Sequence, residues 1–133
     1  MLAIKSVSVR TDFTSAMTMV FDEIDMGVSG EIAASVAKKL YKIAKNNQVI
    51  CITHQPIIAA MADKHLVVEK RIVDGTTYVS LKEVEQNEKA EAIANLLAPE
   101  KEKRTGVTED AKEFAKSLIE NAKRVKEKEL VIS

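Results

Sequence analysis

The 133 residues are 46% apolar and 30% charged, which gives one globular domain enough material for a core and excludes a disordered tail. Lys+Arg and Asp+Glu number 20 each, so the formal net charge is zero; the net basic field of a general nucleic-acid binder is absent, and no Lys/Arg run is interleaved with aromatics. The single cysteine, Cys51, excludes an internal disulfide and fits a reducing cytoplasm, one Cys with His54 and His65 does not make a zinc set, and no stretch has the length of a membrane span or the pattern of a signal peptide.

In chain order, residues 2–8 form a short apolar stretch that reads as a helix end, followed by a polar link from Arg10 to Ser15. Ala16 to Phe21 is a run of apolar and small residues that stops at Asp22; a run apolar on both faces is the pattern of a buried parallel strand. A long helix is predicted next, with Val28, Ile32, Val36, Leu40 and Ile43 at helical spacing, Ser29 as N-cap and Glu31 in the first turn. Asn46-Asn47 ends it, and residues 49–52 read as a second buried strand closing on Thr53-His54. Strand, helix and strand in this order make a βαβ unit with parallel strands.

After Pro56, residues 57–62 read as a short helix. Residues 65–69 and 76–81 alternate apolar and polar, with Asp74-Gly75 between them, which predicts a hairpin and an antiparallel half of the sheet. The composition turns helical from Glu83, with Ala90, Ile93, Leu96 and Leu97 in one stripe. A charged break spans residues 99–106. Thr108 then caps a long helix with the stripe Ala111, Phe114, Ala115, Leu118, Ile119, Ala122 and Val125. Packing is the plain reading of both stripes.

The chemistry lies at the strand ends. In open α/β sheets, ligands bind at the C-terminal edge of the parallel strands, where Asp22-Glu23 and His54 emerge. Asp22 can hold Mg²⁺, and Glu23, pointing the other way, can orient or deprotonate a water, a task worth roughly 10²–10⁴ in rate. His54 can hydrogen-bond a terminal phosphate. Residues 25–30 join the acidic strand to the long helix through Gly27, Ser29 and Gly30, a backbone able to approach a partner closely. Cys51 reads as a core residue, and His65 as a solvent-facing residue without a role. None of the four glycines belongs to G-x-x-x-x-G-K-[ST], so the chain has no phosphate-cradling loop.

Residues 19–25, then Gly27-Val28-Ser29-Gly30, then Ile52-Thr53-His54, resemble in order the Walker B, D-loop and His-switch series of ABC-type ATPases. The wording is similar to the SMC-related bacterial DNA repair ATPases: Thr53-His54-Gln55-Pro56 with residues 59–63, Val68-Glu69-Lys70, Thr108-Glu109 and the helix after them, and residues 1–7 as the tail of the signature helix. The resemblance implies an α/β fold: the C-terminal lobe, over residues 1–133, of an ABC/SMC-type P-loop ATPase head, without its phosphate loop. It implies Mg²⁺ at Asp22, Glu23 as catalytic carboxylate, His54 as γ-phosphate sensor, and Asp25, Ser29 and Gly30 at a head-to-head interface. ATP and Mg²⁺ are the implied cofactors. The implied partners are the N-terminal half of its own head, a second head in an ATP-sandwiched dimer, and DNA through the full-length protein, in the cytoplasm at the nucleoid and not at a membrane. The phosphate loop, glutamine loop, coiled coil and Ser-Gly-Gly signature core are missing, so the chain is expected to be a fragment that does not hydrolyse ATP alone.

Three other readings remain open. A phosphoacceptor receiver domain would use Asp22, Thr53 and Lys70, but it needs an earlier acidic cluster where only Asp12 stands, and it has no use for His54. A transporter-type ABC fragment shares the motifs. A non-catalytic dimerisation module would use residues 25–30 and the C-terminal helices.

Overall fold

The computed structural model describes residues 17–98 and 106–132. The expected helix end at residues 2–8, the link after it, Ala16 and most of the charged break at 99–106 lie outside the described residues.

The described elements run β1 (Thr18–Asp22), α1 (Gly30–Ala44), β2 (Gln48–Ile52), α2 (Pro56–Met61), β3 (His65–Val73), β4 (Thr76–Val84), α3 (Lys89–Leu97) and α4 (Glu109–Ile132). The fold is α/β. β1 and β2 pair parallel, in a register that sets Phe21 opposite Cys51 and Asp22 opposite Ile52. α1 is the crossover between them, as the βαβ reading requires.

The hairpin forms around Asp74-Gly75, whose φ values of 49° and 77° are both positive, as a tight primed turn demands. β3 and β4 pair antiparallel from His65–Val84 to Val73–Thr76. β4 continues through Glu83 to Val84, so the helix predicted from Glu83 begins only at Lys89. The expectation of a single sheet is corrected: among the described residues the strands form two separate two-stranded sheets. The sequence signals of strand and turn are local, whereas the joining of two sheets depends on what lies between them.

The parallel pair differs from expectation in burial too. Among the described residues only one face is covered, by α1 and α2: Phe21, Val49 and Cys51 pack with Ile24 and Ile57 against Val36, Ala37, Leu40 and Ile58. On the opposite face Val20, Ile50 and Ile52 remain 63%, 45% and 53% exposed. Successive strand residues point to opposite sides, so a run apolar on both faces specifies two covers, and the described residues supply one.

Along α1 the buried residues are Ala33, Val36, Ala37 and Leu40, while Ile32 is exposed. The two alanines let the helix approach its neighbours closely and turn its buried arc away from Ile32. Ser29 holds the N-cap position through its carbonyl, which accepts from the Ala33 amide at 2.9 Å; its hydroxyl makes no cap bond. Thr108 does cap α4 with its side chain, accepting from the Ala111 amide at 3.3 Å.

A second core lies where α2, α3 and α4 meet, with Ala59, Ala60, Ile93, Ala94, Ala115 and Ala122 buried and Met61, Leu96, Leu118 and Ile119 packed around them. The small side chains allow close helix approach, and Ile93 fills the space between. Of the predicted stripes, Phe114 and Leu97 are exposed. Helix α2 faces both cores, with Ile58 in one and Ala59-Ala60 in the other.

Two polar ties complete the packing. Glu129, near the end of α4, is buried; its carboxylate meets Lys38 at 2.9 Å and Lys42 at 3.3 Å, and its backbone oxygen accepts from Lys45 at 2.7 Å, all three lysines coming from the α1 region. Lys89, also buried, donates to the Ala62 carbonyl at 2.6 Å, and Lys126 pairs with Asp63 at 2.5 Å. Among the described residues no helix is long and apolar enough to cross a membrane.

Candidate functional site

The parallel register brings the polar residues to one edge. Because Asp22 lies opposite Ile52, Glu23 leaves β1 beside Thr53 and His54 as they leave β2. The Glu23 amide donates to the Ile52 carbonyl at 3.2 Å, one bond beyond the ladder. Glu23 then turns with φ 49°, a left-handed conformation uncommon for a non-glycine residue. Its carbonyl accepts from the Met26 amide at 3.3 Å, closing a turn that starts the loop to α1. Asp22, Glu23 and His54 are all exposed, so each carboxylate and the imidazole can reach a ligand.

Asp25 behaves differently. It is only 1% exposed. Its Oδ2 accepts a hydrogen bond from the Thr53 hydroxyl and another from the Gln55 amide at 3.2 Å. The Gln55 amide also reaches Thr53 Oγ1 at 2.9 Å, and the Gln55 side-chain amide donates to the Val28 carbonyl at 3.4 Å. Asp25 Oδ1 is buried and has no partner among the described residues. The resemblance implies a head-to-head interface for Asp25; in this chain its side chain lies inside, between the two loops. Ser29 and Gly30, from the same reading, are exposed at the start of α1, and an added Cβ at Gly30 would meet only Ile57 Cδ1, at 3.9 Å.

Thr53 enters the sequence expectations only through the receiver alternative and, with Gln55, the motif around His54; neither is expected to hold Asp25. A hydroxyl and an amide flanking an expected functional histidine were the available signal, but their partner is 28 to 30 residues away in sequence. The receiver arrangement is not assembled: the Thr53 hydroxyl serves Asp25 rather than facing Asp22, and Lys70 lies in the hairpin, opposite Val79.

Two further groups have perturbed titration. Burial, and secondarily the charge of Asp25, push the Cys51 thiol up from its ordinary value. His65, expected to face solvent, is half-buried; burial first and the Lys89 ammonium second push its pKa down. It starts β3, and its Nδ1 has no partner among the described residues.

The site is therefore that of an α/β lobe presenting two acids and a histidine at the C-terminal edge of a parallel pair. No protein-family model matches the chain. Among curated proteins it is 42% identical over 127 residues to the DNA repair protein RecN of Bacillus subtilis, covering 95% of this chain and 21% of that protein. It is 37% identical over 126 residues to RecN of Halalkalibacterium halodurans (95% and 21%), and 34% identical over 123 residues to RecN of Streptomyces coelicolor (92% and 20%). The chain belongs to the RecN family and corresponds to the C-terminal part of these proteins. It spans about a fifth of the length of the curated relatives it matches. A solved SMC ATPase chain, from work on ATP-driven dimerisation and DNA-stimulated activation, is similar with a TM-score of 0.47 and 22% identity, covering 62% of this chain and 49% of that one.

Proposed function

We propose that the chain is the C-terminal lobe of an ABC-type ATPase head and supplies the metal-binding and water-activating acids for ATP hydrolysis in a DNA repair protein. The observation that carries this reading is the parallel register, which sets Asp22-Glu23 and His54 at one edge of β1 and β2. The relatedness to RecN proteins supports repair of DNA as the setting.

Each residue has a distinct task. Asp22 offers one exposed carboxylate, which fits Mg²⁺, an ion commonly held by one or two carboxylates together with the substrate's phosphates. When bound, that ion would neutralise charge on the phosphates. Glu23, exposed next to Asp22 at the end of β1, orients the attacking water and accepts its proton. His54 donates a hydrogen bond to the terminal phosphate. Ser29 and Gly30, exposed at the start of α1, contact a second head directly, whereas buried Asp25 serves that interface by shaping the loop.

The phosphates need another cradle, because this sequence has no glycine-rich phosphate loop. The uncovered face carrying Val20, Ile50 and Ile52 supports a seat there for the phosphate-binding half of the head. DNA is engaged by the whole protein. The test is reconstitution. The chain alone should show no ATP turnover above background, and robust Glu23-dependent turnover by it alone would overturn the fragment reading. With the phosphate-binding half added, Mg²⁺-ATP binding should appear, and Glu23→Gln should lower turnover roughly 10²–10⁴-fold while retaining ATP. Unchanged turnover in that variant would remove Glu23 from its role.

A further inference from the structure

We propose that Asp25 is a positioning residue whose carboxylate clamps the chain on both sides of His54 and so fixes that imidazole relative to Glu23. The proposal rests on the roles given above to Glu23 and His54.

His54 is exposed and its side chain makes no hydrogen bond among the described residues. Its place at the sheet edge is therefore inherited from its neighbours. Both neighbours are held by one atom: Asp25 Oδ2 accepts from the hydroxyl of Thr53, immediately before His54, and from the amide of Gln55, immediately after it, at 3.2 Å. The 2.9 Å bond from the Gln55 amide to Thr53 Oγ1 closes the triangle.

The same loop is tied twice more. The Glu23 amide bonds Ile52 at 3.2 Å on one side of Asp25, and the Val28 carbonyl receives the Gln55 side chain at 3.4 Å on the other. Residues 23, 25 and 28 are thus joined to residues 52, 53 and 55, and the two loops form one unit carrying both Glu23 and His54. Hydrogen bonds to a carboxylate are the strong kind, and here the accepting side chain is buried. The buried Oδ1 without a partner argues that the carboxylate is kept for placement, since an apolar residue would avoid that desolvation cost.

The clamp is tested on the 133-residue chain by NMR, with Asp25→Ala, Asp25→Asn and Thr53→Val. Asp25→Ala should speed hydrogen exchange of the Gln55 amide about tenfold and shift the His54 ring resonances, with α4 amides exchanging as in the parent. Asp25→Asn keeps an acceptor oxygen toward Thr53 and Gln55 and should restore most of the protection. Should Asp25→Ala unfold the chain, Thr53→Val, which removes both the donor to Asp25 and the Oγ1 acceptor of the Gln55 amide, is read by the His54 ring resonances, which should shift as in Asp25→Ala. Unchanged Gln55 exchange and His54 shifts on loss of either partner would overturn the clamp. In the reconstituted head, Asp25→Ala should lower kcat at constant KM for ATP, with recovery in Asp25→Asn; a raised KM at constant kcat would contradict it. If that head shows no Glu23-dependent turnover, the functional reading fails, and the exchange experiment still decides the clamp.

Discussion

Replacing Ile93 by alanine tests the account of the helical core. Ile93 is 0% exposed and sits among Ala59, Ala60, Ala94, Ala115 and Ala122. The substitution removes three buried carbons, worth about 2.5 kcal/mol as transfer free energy. A cavity cost is added, because five of the neighbours have only a Cβ and no rotamer that could fill the space. Leu96, Leu118 and Ile119 can relax in part, which places the expected loss at about 3–4 kcal/mol, a large share of the ~5–15 kcal/mol of an ordinary domain. Urea titrations followed by far-UV circular dichroism should show a lower midpoint at constant slope. Ile32→Ala is the paired control: that side chain is 56% exposed, and its loss should cost less than about 1 kcal/mol. A loss below about 1 kcal/mol at Ile93, or an equal loss at both positions, would refute the assignment of the core.

Acid should weaken the tie between α1 and α4. The hydrogen bond from Lys38, with Lys42 adding to it, outweighs burial and holds the Glu129 carboxyl below its ordinary value of 4.5. A lowered folded-state pKa means stability that is present above 4.5 and lost as pH falls through the lower folded value; Glu129→Gln should flatten this limb of the stability curve. His65 adds a limb of the same sign that begins higher, since its folded value lies below the ordinary 6.5; an NMR titration midpoint at or above 6.5 would contradict its burial. Cys51 should react with iodoacetamide more slowly than a free thiol at a pH of about 8, and Asp25→Asn should speed the reaction by removing the charge that raises its pKa. Alkylation at the rate of a small free thiol would refute the placement of Cys51 beneath α1.

Local signals were readable in the sequence. Asp74-Gly75 announced its hairpin because two positive φ values in succession restrict the residue choice. Thr108 announced a capped helix, and the order of strand, helix and strand fixed the parallel sense of β1 and β2. What failed depends on surroundings. Val20 and Ile52 read as buried because their chemistry asks for a cover, yet the cover is not a property of the strand itself. Ile32 fell outside the buried arc because Ala33 and Ala37, which look neutral in a hydrophobic pattern, are the residues at the contact. In the site, Asp22, Glu23 and His54 were legible as strand-end residues, while the inward turn of Asp25 was not. A buried carboxylate is identified by its donors, and these lie on the next loop.

The two small sheets have a consequence for how the chain behaves at high concentration. Among the described residues each of the four strands is an edge, with a row of backbone donors and acceptors open along one side. The hairpin carries charges along its length, among them Glu69, Lys70, Arg71, Lys82 and Glu83, whose desolvation disfavours a stacking copy. Among the described residues β1 and β2 carry one charge, Asp22 at the end of β1, and beside their open edges lie Val20, Ile50 and Ile52. The parallel pair is the place where a stray strand would be recruited first, so the onset of aggregation should be set there, and a lysine at Ile50 should raise the solubility limit.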